Sequence, residues 1–384
     1  MKILFNLTAT QPIGKTKFHG GGKYGLIVFK RIVELAPEKI AVFYDKDAYL
    51  DENALNIIKK YKLPQYYKGA ISIYDAARKE GGIIYSPFFA QNDIPSDIKV
   101  IQTQHGLRVM EMPSDITQKY YVEENKSFLT FVKQLIKNCF KQRYQYHVEE
   151  MHRQRICMDN LITVTVSNHS KYSILSFFPE MSSRNIKVFY SPSTINKNVS
   201  VDNYANPYGK YYLVVSANRW IKNGYRTLKG LDELFSEHPN LQGKVVVTGL
   251  SSWNQMSIKI KNKERFVLVG YVDEKMLQAL YKNAYLLIYG SLNEGFGYPP
   301  LEAMYNSCPV IASAIASIPE ICGDAVLYYN PFLISEMKMR VLQMENKTIR
   351  DSFVLKGKEQ QKKIENRQFL DLDKLCEFIL AYVR

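Results

Sequence analysis

Two glutamates stand eight positions apart in EGFGYPPLE, residues 294–302, separated by two glycines, two aromatic residues, two prolines and a leucine. Carboxylates accept hydrogen bonds at two oxygens. Gly295 and Gly297 let the backbone approach a ligand closely, because no Cβ stands in the way. Pro299 and Pro300 fix φ and donate no N–H, which suits a loop running into a first helical turn. Glu294 is therefore expected in the loop and Glu302 on that first turn. The pattern is that of a binding loop, and the rest of the chain must say for what.

The elements that would position this loop recur along the whole chain. Short apolar runs read as strands at 2–7, 39–45, 81–86, 99–104, 161–167 and 186–191, then at 211–217, 244–249, 265–270, 285–291, 309–313 and 325–329. Strands of this composition alternating with helical patterns predict an α/β fold with parallel sheets covered on both faces. The polar, turn-rich run SPSTINKNVSVDNYANPYGK, 191–210, separates the two series and reads as a linker. Two Rossmann-like domains follow, and ligands of such sheets bind at the carboxyl ends of the strands. EGFGYPPLE comes directly after one such end. The closing run 369–384 has the spacing of an amphipathic helix.

With 384 residues and a net charge of +14, the chain has room for two domains and favours an anionic partner. Its five cysteines are scattered and form no CxxC, which indicates neither a disulfide framework nor a zinc site and suits a reducing cytoplasm. The first residues, MKILFNLTATQ, have too short an apolar core for a signal peptide, and no apolar run approaches a membrane span. Nucleic acid is not indicated, since no zinc, RRM or basic-helix reader motif accompanies the charge.

The run SLNEGFGYPPLEAM, followed by CPVIAS, SIPE and CGDA, resembles the donor-site region of the retaining glycosyltransferases of family 4. HGGGKYG (19–25), TQHGLR (103–108), ANRWIKN (217–223) and VGYVDEKMLQALYKNA (269–284) agree with it. The resemblance implies the GT-B architecture of two facing Rossmann-like domains with a cleft between them: an acceptor-binding domain over 1–195, a nucleotide-sugar domain over 205–365, and a helix over 366–384 packing back toward the first. It implies that Glu302 accepts hydrogen bonds from the ribose hydroxyls of a nucleotide-sugar. Backbone amides of Gly295, Phe296, Gly297 and Tyr298 at a helix start would meet the diphosphate. Arg219 and Lys222 would neutralise that diphosphate as it leaves. Glu294 would lie by the transferred sugar, His105 would touch its ring from the other domain, and a loop of Gly20, Gly21 and Gly22 would approach the phosphates or the acceptor. Glu294 and His105 are thus the catalytic candidates. The resemblance further implies that no metal or other cofactor is required and that the acceptor is a glycan or a lipid-linked glycan, as in surface polysaccharide synthesis. Two features depart from the family: the basic pair is often spaced more widely, and Asn306 and Ser307 replace a small residue and a glycine.

Each candidate has a plainer reading. Glu302 could complement a helix dipole, Glu294 and Arg219 could be solvated charges, and His105 could be a satisfied strand-end histidine. The glycines 20–25 spell G-x-G-x-x-G, but twelve residues separate Leu7 from Gly20, too many for a dinucleotide fingerprint. Gly14-Lys15-Thr16 lacks the first glycine of a P-loop, and Asp45-Lys46-Asp47 reads as a turn. The basic amphipathic stretch 126–143 suits either a packed surface helix or one lying on an anionic membrane leaflet, which would make the protein peripheral on the inner membrane face. Two rival functions stand beside transfer: a catalytically silent subunit that binds nucleotide-sugar, and an epimerase of the same fold.

Overall fold

The computed structural model describes residues 1–12, 20–88, 93–121, 141–181, 186–197, 199, 201 and 204–383. Gly14-Lys15-Thr16 and all of 126–143 except its last three residues lie outside these. Among the described residues the chain forms two compact units. The first comprises Met1–Leu107, Tyr146–Thr194 and Glu365–Arg384; the second comprises Arg108–Gln145 and Ile195–Ile364.

The first unit holds a seven-stranded sheet in the order β3-β2-β1-β4-β5-β6-β7. Its strands are β1 (Ile3–Asn6), β2 (Ile40–Tyr44), β3 (Gln65–Tyr67), β4 (Ile83–Ser86), β5 (Lys99–Gln104), β6 (Leu161–Thr165) and β7 (Ile186–Val188). Every pairing is parallel. The second unit holds a six-stranded sheet in the order β10-β9-β8-β11-β12-β13. These are β8 (Tyr211–Val214), β9 (Lys244–Thr248), β10 (Phe266–Gly270), β11 (Leu286–Tyr289), β12 (Val310–Ser313) and β13 (Leu327–Tyr329), again all parallel. All twelve runs expected from the sequence are strands. The sequence does not show β3, a three-residue edge strand whose side chains are half or fully exposed, too short to display a period of two.

The central strands β1, β4, β8 and β11 are buried along their length, as parallel strands covered on both faces must be. In the second unit, Leu228, Leu231, Leu234 and Phe235 of helix Gly224–Glu237 and Val341 and Met344 of helix Ile334–Glu345 pack with Tyr212, Val245 and Ile288 of the sheet. In each sheet the strand order reverses beside the first strand, at β1/β4 and at β8/β11. Loops leaving neighbouring strands at such a point diverge to opposite faces and open a crevice at the carboxyl ends.

The C-terminal helix begins at Lys347, well before the expected start, and runs to Leu380. Its last residues pack within the first unit. Arg31 makes two hydrogen bonds to Asp373, at 2.6 and 3.1 Å, the Tyr190 amide donates to Asp371 at 2.9 Å, and the Gln368 amide donates to the Ser191 carbonyl at 2.6 Å.

Candidate active site

In the second unit, β8 and β11 are hydrogen-bonded neighbours, so the segments that follow them meet. After β8 the chain makes a 3-10 turn, Trp220–Lys222, and Asn223 reverses it with φ of 58° before helix Gly224–Glu237. Asparagine tolerates this left-handed conformation better than most residues. Gly224 is needed because a Cβ there would stand 2.6 Å from the Ala217 carbonyl oxygen. After β11 the loop passes through Glu294, and the Leu292 amide donates to the Ile221 carbonyl at 2.7 Å, tying the two segments together.

Lys222 and Glu294 meet there as an ion pair at 2.5 Å, with only 10% and 16% of their side chains exposed. Glu294 Oε1 also accepts from the Tyr289 hydroxyl at 2.5 Å and the Ser291 hydroxyl at 2.6 Å. Three donors thus converge on one carboxylate oxygen, while Oε2 takes no hydrogen bond among the described residues. Burial pushes the Glu294 carboxyl up, but the Lys222 ammonium and the hydroxyl donors outweigh burial and hold it below its ordinary value. The same contact works in reverse on Tyr289, whose phenol is raised well above its ordinary range by burial and by the Glu294 charge. The result is an ionised carboxylate locked in orientation through one oxygen, with the other available to a hydrogen-bond donor.

Helix Tyr298–Tyr305 starts at Gly297, whose φ of 100° is strained for any side chain. Tyr298 is its first residue, so Pro299 and Pro300 fall where a missing N–H costs no intrahelical bond. Glu302 therefore lies on the second turn, not the first. It sits half-buried beside Tyr281, and burial together with the Glu302 charge raises that fully buried phenol well above its ordinary range. Phe296 is buried at 4% exposure with its ring 5.4 Å from that of Tyr298, so the loop is packed down rather than free-standing. Arg219 is exposed, and its side chain makes no ion pair among the described residues.

The first unit holds the remaining candidates. Gly20, Gly21 and Gly22 form the first turn of helix Gly20–Leu35, which corrects the expectation of a loop. Burial of Tyr24, Val28, Phe29, Ile32 and Val33 on one face drives that helix, and glycines at its extreme start weaken it little. His105 follows β5 directly. Its Nε2–H donates to the Pro87 carbonyl at 2.9 Å, and its ring stands edge-on to Tyr24 at 4.6 Å. Tyr24 is itself held in a buried hydroxyl cluster with Thr103 at 3.1 Å and Tyr85 at 3.4 Å. The structure thus brings Lys222 and Glu294 into contact and sets Glu302 on the following helix; in the first unit it fixes His105 against the helix that the glycines begin.

Sequence reasoning missed Tyr289 and Ser291, which orient Glu294. They were readable: residues i and i+2 at the end of a strand share a face, and both are polar in an otherwise apolar run. It also missed Asn223, Arg226 and Asp115. Arg226 binds Asp115 through two hydrogen bonds of 2.9 and 3.0 Å, a long-range pair with no local signature. Among the described residues no group of three or more His, Cys, Asp or Glu could hold a metal ion, and no helix is long and apolar enough to cross a membrane.

A family model described as "Glycosyl transferases group 1" matches residues 205–368. The chain is 29% identical over 233 residues to the O-antigen chain mannosyltransferase RfbU of Salmonella typhimurium, a stretch covering 60% of this chain and 56% of that relative. It is 26% identical over 381 residues to O-antigen chain mannosyltransferase B of Escherichia coli, covering 89% of this chain and 90% of the relative. The crystal structure of WaaG, a glycosyltransferase involved in lipopolysaccharide biosynthesis, is similar with a TM-score of 0.66 at 12% identity, over 98% of this chain and 99% of that one. Residues 205–368 thus match the group 1 glycosyltransferases, and the chain's two parallel sheets are those of the GT-B fold.

Proposed function

We propose that the chain transfers a hexosyl group, mannosyl being the first to test, from a nucleotide-sugar to a glycan or lipid-linked glycan acceptor in surface polysaccharide synthesis, at the cytoplasmic face of the membrane. The names of the two relatives support the sugar and the pathway class. The observation that carries the reading is Glu294: ionised, held through Oε1 by three donors, and left with Oε2 for a hydroxyl of the transferred sugar. Glu302 takes the ribose hydroxyls. The start of helix Tyr298–Tyr305, Lys222 and the exposed Arg219 take the diphosphate, so that charge on the leaving group is met by fixed donors without a divalent cation. His105 contacts the sugar, and the glycines opening helix Gly20–Leu35 leave their backbone approachable. The anomeric carbon–phosphate bond breaks as the acceptor oxygen bonds to the same face, and the departing phosphate takes the acceptor's proton. Anomeric configuration is then retained.

The test is nucleotide release from a panel of GDP- and UDP-sugars with acceptor extract. GDP-mannose should be consumed in the presence of EDTA, the product linkage should keep the donor's anomeric configuration by NMR, and Glu294→Gln and Glu302→Gln should each lower kcat/KM by about a hundredfold or more. A protein that turns over no donor of the panel ends this reading.

A further inference from the structure

The segment Arg108–Tyr121 follows His105 in the chain but packs within the second unit. Its anchorage is extensive. Asp115 accepts the paired bonds of Arg226 and a third from the Thr117 amide at 2.8 Å. Tyr120 stacks on Tyr225 with centroids 4.2 Å apart and planes within 8°, and the Tyr121 hydroxyl accepts from the Tyr225 amide at 2.9 Å. The Ser257 amide donates to the Tyr120 carbonyl at 2.7 Å.

Two further contacts reach the Lys222–Glu294 pair at one residue's remove. The side-chain amide of Asn293, buried and adjacent to Glu294, donates to the Glu111 carboxylate. Arg226, already held by Asp115, donates to Asn223 Oδ1 at 3.1 Å, and Asn223 is adjacent to Lys222. The same strap therefore grips both segments whose side chains form the ion pair. Anchorage alone needs only Asp115, Tyr120 and Tyr121. Glu111 adds a charge-assisted hydrogen bond aimed at the loop carrying Glu294.

We infer that Arg108–Tyr121 is a positioning strap for the carboxylate loop, with Glu111 as the positioning residue that fixes Asn293 and hence the placement of Glu294. The inference rests on the function proposed above for its kinetic consequence, but its structural consequence can be read without any substrate. A catalytic group displaced by a fraction of an ångström loses rate steeply.

The test uses the full chain with Glu111→Ala, Glu111→Gln and Asn293→Ala. In the ligand-free protein, hydrogen exchange at the Leu292 amide and its neighbours to Gly297 should quicken about tenfold in Glu111→Ala, with exchange in the strands of the second sheet slowed or quickened far less, and return to the wild-type rate in Glu111→Gln, whose side-chain oxygen still accepts. Donor turnover should follow the same pattern, with kcat falling about tenfold or more and KM changing less. Combining Glu111→Ala with Asn293→Ala should cost no more than either alone. Wild-type exchange rates in both alanine variants, or a glutamine variant that behaves as alanine does, overturn the inference. Should the wild type turn over no donor, the proposed function falls and the exchange measurement still decides the strap.

Discussion

Glu294 and His105 each follow a strand near the switch point of a parallel sheet, yet the two are fixed by different physics. Around Glu294 the partners are charged or strongly polar: Lys222, Tyr289 and Ser291 on one oxygen, with Asp115 and Arg226 one residue further out. Around His105 they include an edge-on phenol, the tilted Phe88 ring at 5.5 Å and the Pro87 backbone carbonyl. A buried carboxylate has to be paired to remain ionised, and pairing at several points also fixes its direction. An imidazole can be oriented by ring packing and a hydrogen bond to the backbone. The second unit is thus the more preorganised and the more exposed to damage by single charge removals.

The largest effect should expose that difference in stability. Arg226→Met leaves Asp115, whose side chain is 5% exposed, without its cation and should cost about 3–5 kcal/mol. Tyr85→Phe in the first unit removes a buried hydroxyl but leaves Tyr24 and Thr103 bonded to each other at 3.1 Å, so about 1 kcal/mol is expected. Urea unfolding of both variants measures the gap, and equal costs would break the comparison.

A pH profile sharpens it further. Glu294 is held below its ordinary value near 4.5, so its contribution to stability and activity is present above that value and fades as pH falls through the lowered one. Lys222→Met removes the largest opposing influence and lets burial win. The acid limb of donor turnover should then move to higher pH. His105→Gln should leave that limb where it was.

How much of this was legible in the sequence follows from the range of the forces involved. The strands were legible because sheet burial writes an apolar run for each, and only the exposed edge strand Gln65–Tyr67 escaped. The loop around Glu294 was legible because glycines, prolines and both acids lie in one continuous run. The helix that opens at Gly20 was misread as a loop, since three glycines suggest a turn while the apolar face that outweighs them starts only at Tyr24. Asp115 and Glu111 could not be read at all. Their partners, Arg226 and Asn293, lie more than a hundred residues on, and an isolated Asp or Glu in a polar stretch carries no mark of burial.

The smallest effect concerns the far end of the Glu302 helix and isolates backbone from charge. Asn306 caps that helix, the Ser307 amide donates to Met304 at 3.0 Å and the Cys308 amide to Ala303 at 2.9 Å, which together form a Schellman motif. Ser307 sits at its left-handed position with φ of 63°, where glycine is usual. A serine there carries about 1–2 kcal/mol of strain from its Cβ. Glycine relieves the strain but gives back part of the gain as unfolded-chain entropy, about 0.4–1 kcal/mol. Because Ser307 is exposed and its side chain makes no contact at the site, Ser307→Gly should raise stability by about 0.5–1 kcal/mol with turnover unchanged. Ser307→Val should do the opposite, since a β-branched residue fits the left-handed region worst. If the glycine variant were instead less stable, the serine side chain would be holding the turn. If it were more stable but slower, the register of Glu302 would depend on strain at the helix end, and the second unit's preorganisation would reach beyond its charges into its backbone.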